Sequence, residues 1–556
     1  KLEIAEPNLK FGSQPPQKNC FGMEVNMKKY QKKNRTCFWG ALVCAFISTI
    51  FAVALQFFKG DVLDFAVAGE IEHTIRYAVL LIIFILCEIL FYFCYKQFHA
   101  RFVVGCTKLL KRDIFESITK RDFVQYKEHQ QGEYIAKLTN DADTIKARRF
   151  QMLPMLWEIL FKIIFVSIAL FLLDWRLALV TIALLTTPLY VPRLIEEKLQ
   201  KAQTEYLDSV KNNLARVNDW LRGFEIIRNF SIEEKILSEF DESNDQSMNK
   251  LLKDTTLGSV SQLITTLISY LSYFVVLVCA TWLVLRRDFT AGSFFVAIGM
   301  IDQLSYPLIS LAEVVRQLIA VRPACNSIES FIAEGVNTKR GRSLCAVSSE
   351  IEYRHVTFSY SDDQPVLNDF NFTAKSGKRY LIKGPSGCGK TTVVNLLLRY
   401  YNVEDGSLEI DGVPISEYGS TYGCITIVRQ EAVLFHDSLR NNLTMYREIS
   451  DDKLIHILKD LGLDKFADPD SLDELITEDG ANVSGGEKKR ICLARALLRD
   501  TDVLILDEPL ANLDDATAAR IEDILLSIKG KLLIVVSHQF SDAKLSAFDD
   551  VLTIQK

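Results

Sequence analysis

The stretch Gly384-Pro385-Ser386-Gly387-Cys388-Gly389-Lys390-Thr391 fits the pattern G-x-x-x-x-G-K-[ST] at every fixed position. It follows an apolar strand, Arg379 to Ile382, and opens an apolar helix with Thr391 and Thr392. Glycines at these places let the backbone wrap tightly, so that successive N–H groups point at phosphate oxygens. The helix that follows adds the positive end of its dipole. The chemistry is the cradling of a nucleotide's phosphates. Lys390 reaches the β- and γ-phosphates, and the Thr391 hydroxyl ligates Mg²⁺. A chance glycine-rich turn is the competing reading; a full match set between strand and helix argues against it.

Two further constellations suit the same chemistry. Val503-Leu-Ile-Leu-Asp507-Glu508 is an apolar strand that ends in two acids. Burying such a strand pushes both carboxylates out at its C-terminal end, the usual ligand edge of a parallel sheet. Asp507 suits a water-mediated hold on Mg²⁺, and Glu508 is placed to polarise an attacking water. Ser484-Gly485-Gly486-Glu487 opens another helix, where small residues again present N–H groups to an anion.

These residues need a scaffold. From residue 350 to 556 strands alternate with helices, the pattern of an α/β domain on a largely parallel sheet. Residues 334–349, polar and with two glycines, read as a linker. Residues 27–333 are different. Apolar runs near 36–58, 74–98, 153–173, 177–195, 257–285 and 292–320 are each about long enough to cross a bilayer. The stretches 28–35, 99–150 and 193–255 are rich in Lys and Arg and should face the cytoplasm, whereas the acidic loop 59–73 should face outward. Ionisable groups within spans are costly. Glu88 and Asp302 are therefore the candidates to line a substrate cavity, with interior packing as the alternative. Glu158 and Lys162 lie one turn apart and can pair.

Composition sets further bounds. The chain has 556 residues and a net charge of −6, which gives no reason to expect a nucleic-acid partner. Its 12 cysteines are scattered singly, without metal-like spacing, and read as reduced thiols. Residues 1–26, with a Pro/Gly/Gln-containing stretch, predict no regular structure and read as an N-terminal extension of unknown role.

The order of these motifs resembles the ATP-binding cassette (ABC) transporter family, and the resemblance covers nearly the whole chain from Met27. Val483-Ser484-Gly485-Gly486-Glu487 looks like its signature motif, with Val for the usual Leu and Glu for the usual Gln. Tyr360 resembles the aromatic residue that stacks on adenine. Gln430 looks like the Q-loop glutamine that senses Mg²⁺. Asp514 resembles the D-loop acid, and His538 the switch histidine at the γ-phosphate. The resemblance implies a half-transporter of the exporter fold: an all-α, six-helix transmembrane domain followed by an α/β P-loop nucleotide-binding domain, with ATP and Mg²⁺ as cofactors. It implies that two chains sandwich each ATP between Lys390 of one and Ser484 of the other, in a homodimer or with a second half-transporter; the intact motif set fits both, the Glu487 departure speaks for the second, and the homodimer is the preferred expectation. It also implies transverse coupling helices, expected around Asn140–Thr144 and Arg216–Gly223. The expected activity is ATP hydrolysis coupled to export of a hydrophobic, peptide or lipid-like substrate by alternating access, in a cell membrane, with the nucleotide-binding domain cytoplasmic. Composition points to a bacterial plasma membrane. An importer on the same fold and an ATP-gated channel or regulator are the alternatives.

Overall fold

The computed structural model describes residues 20–187, 191–286, 288–335, 341–344, 346–360, 365–385, 387–477, 480–511, 515–538, 540 and 542–555. The chain divides into two units. One holds the residues up to 117 together with 131–333, and the other holds 118–130 together with 334–556.

The first unit is helical. Among the described residues, five helical runs are long and apolar enough to cross a membrane: Arg35–Ala68, Ile71–Thr119, Gln131–Leu173, Glu233–Leu285 and Ala291–Glu334. A shorter apolar helix, Trp175–Leu185, covers the start of the expected fourth span; residues 188–190 of that span lie outside the described residues. The Ile71–Thr119 helix has 49 residues, about 74 Å at 1.5 Å per residue. That is more than twice a hydrocarbon core of about 30 Å, so the helix continues well past the bilayer. Ile75, Val79, Ile82, Leu86, Ile89 and Phe93 recur along it at three- and four-residue steps and are all exposed, an apolar stripe suited to lipid. The core of the unit lies where the Met152–Leu173, Trp175–Leu185, Glu233–Leu285 and Ala291–Ala320 helices meet, around Leu170, Leu177, Val276, Met300 and Leu304.

Three expectations need correction. Asn140–Thr144 is not a separate transverse helix. It lies inside the continuous run Gln131–Leu173. A π-helical stretch, Lys137–Asp141, absorbs the polar residues there, and Lys137 pairs with Asp141 at 2.9 Å. The turn after the second span is instead made by Asp122, whose carboxylate accepts from the Gln125 N–H in a reciprocal capping box. The short helix Phe123–Lys127 follows it. The second turn helix is Phe224–Asn229, just beyond Gly223; the Arg216–Gly223 segment is mostly the last turns of the preceding helix, Val191–Arg222. Finally, of the segment expected to lack regular structure, residues 1–19 lie outside the described residues, but residues 20–26 belong to the helix Cys20–Lys33. That helix is anchored by buried Met27 and Tyr30, with the Tyr30 hydroxyl donating to Asp113 at 3.0 Å.

The second unit contains eight main strands: β1 (Glu350–Phe358), β2 (Leu367–Lys375), β3 (Arg379–Lys383), β4 (Asp405–Ile410), β5 (Ile425–Val428), β6 (Val503–Asp507), β7 (Leu532–Val536) and β8 (Asp550–Thr553). Strands β2, β1 and β4 pair antiparallel. The central sheet is parallel throughout, in the order β8-β3-β7-β6-β5. Strands β6 and β7 are buried along their whole length, which explains their unbroken Val/Leu/Ile runs. Alternate residues face opposite sides. Leu504, Leu506, Leu533 and Val535 pack with the helical residues Leu454, Leu458, Ile491 and Leu493. Val503, Ile505, Ile534 and Val536 pack on the other side with Val393, Val394 and Leu397.

Candidate nucleotide-binding site

Sheet order brings the chemistry together. Strand β7 lies between β3 and β6, with Val536 opposite both Ile382 and Asp507. The ends of these three strands carry Gly384, Asp507-Glu508 and Ser537-His538. All therefore sit on one C-terminal sheet edge, the ligand edge of such folds.

The loop after β3 has the backbone its glycines foretell. Gly384 adopts φ 154°, and a Cβ there would lie 2.5 Å from the Ile554 carbonyl oxygen. Gly389 adopts φ 101°, where a Cβ would meet Leu367 at 2.9 Å. Neither position admits a side chain without a shift. Gly389 leads into the helix Lys390–Leu397. The Lys390 ammonium folds back across the loop and donates to the carbonyls of Gly384 at 2.8 Å and Pro385 at 2.9 Å. Thr391 is exposed at the helix start and Cys388 is buried beneath the loop. Thr392 is buried, and its hydroxyl is 3.1 Å from the Tyr360 hydroxyl. Tyr360 is half-exposed and packs edge-on against Phe358 and Tyr401. It is a braced aromatic surface beside the loop. Ser386 and Asp514 lie outside the described residues.

At the ends of β6 and β7, the Glu508 Oε1 atom lies 2.8 Å from His538 Nδ1. Glu508 is buried, and its Oε2 has no hydrogen-bond partner among the described residues. A buried, orphaned carboxylate oxygen is costly and marks a place for a polar guest. Asp507 is also buried, 3.7 Å from the Arg429 guanidinium. Burial lifts the Asp507 carboxyl above its usual range; Arg429 offsets only part of that. Arg429 also donates to Asn395 at 2.8 Å and sits 5.4 Å from the Tyr400 ring centre. Tyr400 in turn stacks on Phe123 of the short Phe123–Lys127 helix, with ring centres 3.8 Å apart. Gln430 is exposed next to Arg429. Arg429 was not singled out from the sequence; a cation immediately before Gln430 was the available signal.

The Ser484 side chain caps the helix Gly485–Leu498 by accepting from the Glu487 N–H. Glu487 returns the contact. Its Oε2 accepts from the Ser484 N–H and hydroxyl, each at 2.9 Å, and its Oε1 pairs with Lys465 at 2.7 Å. Burial pushes the Glu487 carboxyl up, but Lys465 and the Ser484 donors outweigh it and hold the group below its usual range. Glutamate in this position thus competes for the serine hydroxyl and adds a negative charge, which Lys465 balances. Glu487→Gln is expected to lower the KM for ATP by about two- to fivefold, the worth of one partly screened charge. Titrating ATPase against ATP checks it, and a KM that rises contradicts it.

The glycine-loop helix and the signature helix lie on opposite faces of the parallel sheet: Val393 and Leu397 belong to one core, Ile491 and Leu493 to the other. Glu88 is half-buried on the Ile71–Thr119 helix, and Asp302 is exposed on the Ala291–Ala320 helix. Glu158 and Lys162 pair with each other at 2.8 Å.

Comparison with known proteins matches residues 38–308 to the ABC transporter transmembrane region family and residues 367–511 to the ABC transporter family. An ATP-dependent lipid A-core flippase of Syntrophus aciditrophicus is 28% identical over 441 residues, covering 78% of this chain and 73% of that protein. An uncharacterised ABC transporter ATP-binding protein of Bacillus subtilis, YwjA, is 27% identical over 448 residues, covering 78% and 77%. A solved bacterial Atm1-family ABC exporter with ATP bound shares the fold, with a TM-score of 0.77, 21% identity, and coverage of 94% of this chain and 93% of that one. Both halves of the match fall in one polypeptide, with long apolar helices before an α/β domain of the right order. The chain belongs to the ABC transporter family, as a multi-pass membrane half-transporter of the exporter fold that hydrolyses ATP.

Proposed function

We propose that this chain is one half of a dimeric exporter that moves an amphipathic lipid across the membrane at the expense of ATP. The cargo class rests on one observation: relatives matched across most of their length, from Syntrophus aciditrophicus and Idiomarina loihiensis, carry the name lipid A-core flippase. The exposed apolar stripe on the Ile71–Thr119 helix is compatible with that cargo. Glu88 and Asp302 are the polar groups we assign to its headgroup.

The dimer follows from the placement of the two half-sites. With Lys390 and Ser484 rooted on opposite faces of the sheet, one chain holds two incomplete ATP sites, and a two-fold partner completes both. We favour two copies of this chain, since the phosphate loop, the strand-end acids, the signature and His538 are all present. In each site Tyr360 supports adenine, while Lys390 and the N–H groups of residues 384–392 hold the phosphates. Ser484, Gly485 and Gly486 of the second chain face the γ-phosphate; Asp514 is assigned the D-loop role by its motif alone. Thr391 and Gln430 would offer oxygens to Mg²⁺, and Asp507 would hold it through a water. One or two protein oxygens with phosphates and waters are the coordination that ion prefers, and this set, with the buried Asp507 carboxylate behind it, fits it. When bound, Mg²⁺ neutralises charge on the phosphate oxygens. Glu508 orients the attacking water, and His538 holds Glu508. ATP favours the closed dimer because only there does its γ-phosphate meet both chains; hydrolysis removes that bridge.

Purified protein in liposomes with a fluorescent phosphoglycolipid tests the reading. ATP-dependent movement of the probe to the other leaflet, with lipid-stimulated ATPase, is the expected result. ATPase stimulated by peptides or cationic drugs, without movement of any lipid, overturns the cargo class. Turnover that appears only after a second half-transporter is added overturns the homodimer.

A further inference from the structure

The helix Gly485–Leu498 carries a buried cation with no task in the site as assembled above. Lys489 lies on the same face as Leu493 and Ala496, and only 8% of it is exposed. Its ammonium donates to the Glu508 carbonyl at 2.8 Å and the Ala511 carbonyl at 2.9 Å. Burial pushes its pKa down, against the pull of the Glu508 and Asp507 carboxylates. An ammonium taken out of water is costly unless it is paired and hydrogen-bonded. Neighbouring cations on the same helix also hold carbonyls, as Arg490 does those of Leu461 and Gly462, but Lys489 alone among them reaches the strand-end acids.

The two carbonyls it holds bracket the turn that leaves β6. Glu508 opens that turn at φ 50°, a left-handed conformation that is unfavourable for a non-glycine residue. Two contacts offset that cost. The Glu508 N–H donates to the Val536 carbonyl on β7 at 2.8 Å, and the Glu508 carbonyl accepts from Lys489. The side chain of Glu508 is thereby aimed at His538, with its backbone clamped between β7 and the signature helix. Lys489 stands five residues beyond Ser484. A displacement of the serine end of this helix therefore bears directly on the backbone of Glu508.

We infer that Lys489 is a positioning residue for ATP hydrolysis: it ties the signature helix to the Glu508–Ala511 turn and so makes engagement of Ser484 felt at Glu508 of the same chain. The inference rests on the ATP-site reading above. It needs no contact between Lys489 and nucleotide, so its signature is a loss of kcat with KM preserved.

The test uses the full-length protein with Lys489→Met, Lys489→Gln and Lys489→Arg, alongside Lys390→Ala. Lys489→Met keeps the bulk but removes both hydrogen bonds and the charge. It is expected to lower kcat by about 10- to 100-fold, equivalent to about 1.4–2.7 kcal/mol of transition-state stabilisation, with KM for ATP within about twofold of wild type. Lys489→Arg, which keeps charge and donors, is expected to restore at least a third of kcat, and Lys489→Gln to fall between the two. Wild-type kcat in Lys489→Met overturns the inference. So does a kcat loss matched by lost ATP binding that Lys489→Arg fails to restore. If Lys489→Met does not fold, the ratio of Lys489→Gln to Lys489→Arg decides, equal kcat in the two counting against it. Retained turnover in Lys390→Ala would instead overturn the ATP-site reading, whatever Lys489 does.

Discussion

Glu508→Gln is expected to cut ATP turnover by about 10²–10⁴-fold, the usual worth of a positioned general base, while ATP remains bound. The side chain is buried at the end of β6 with one oxygen, Oε1, 2.8 Å from His538 Nδ1 and the other without a partner among the described residues. The amide keeps that shape and can still meet the imidazole. What it loses is a basic carboxylate oxygen at the C-terminal end of β6. The loss therefore falls on the chemical step and leaves the phosphate loop untouched. Single-turnover hydrolysis and nucleotide retention, measured on the same preparation, check the expectation. Wild-type ATPase in the variant would remove Glu508 from the mechanism. Because ATP stays bound, the variant should also hold the two chains together, and an increased dimer fraction by sedimentation is the second readout.

Lys390→Ala is expected to abolish ATP-dependent transport and to lower kcat/KM for ATP by at least about 10²-fold, comparable with the removal of one preorganised donor from a site of developing charge. In the structure the Lys390 ammonium is held over its own loop by the carbonyls of Gly384 and Pro385. It therefore already lies across the loop proposed to hold the phosphates. The loop's turns are set by its glycines, but the variant gives up the hydrogen bonds to Gly384 and Pro385, so it should still fold, with a melting temperature lowered by no more than about a few degrees. The two variants separate cleanly: Lys390→Ala loses binding and turnover together, Glu508→Gln loses turnover alone. Equilibrium dialysis with labelled ATP distinguishes them.

The features legible in the sequence are those written in contiguous residues. A phosphate loop is eight neighbouring positions whose own backbone makes the contacts, so Gly384 to Thr391 could be read without a fold. The apolar spans were legible for a similar reason, since a bilayer of fixed thickness demands an uninterrupted run. The burial of Val503–Leu506 followed from its unbroken apolar run. Where the reading failed, a single side chain had decided the outcome. Asp122 caps the short Phe123–Lys127 helix and places the turn there. The Gly132 and Asn140-Asp141 pair, a more obvious breaker by type, is absorbed into a continuous helix by a π-helical stretch and the Lys137–Asp141 ion pair. Local breakers lower helix stability by about 1 kcal/mol, and packing along a run of 43 residues readily exceeds that.

The sequence by itself determined that this protein binds a nucleotide's phosphates, that helices ahead of that site cross a membrane, and that two acids end a buried strand. Only the tertiary structure decided how those acids are used. The order β3-β7-β6 inserts a strand from late in the chain between two earlier ones, and so His538 meets Glu508 across 30 residues. The same sheet puts the Lys390 and Ser484 helices on opposite faces, and the signature helix carries Lys489 back to the Glu508 carbonyl. Such contacts join residues far apart in the chain. Their geometry is set by which strands pair and which faces pack, and no local spacing encodes that.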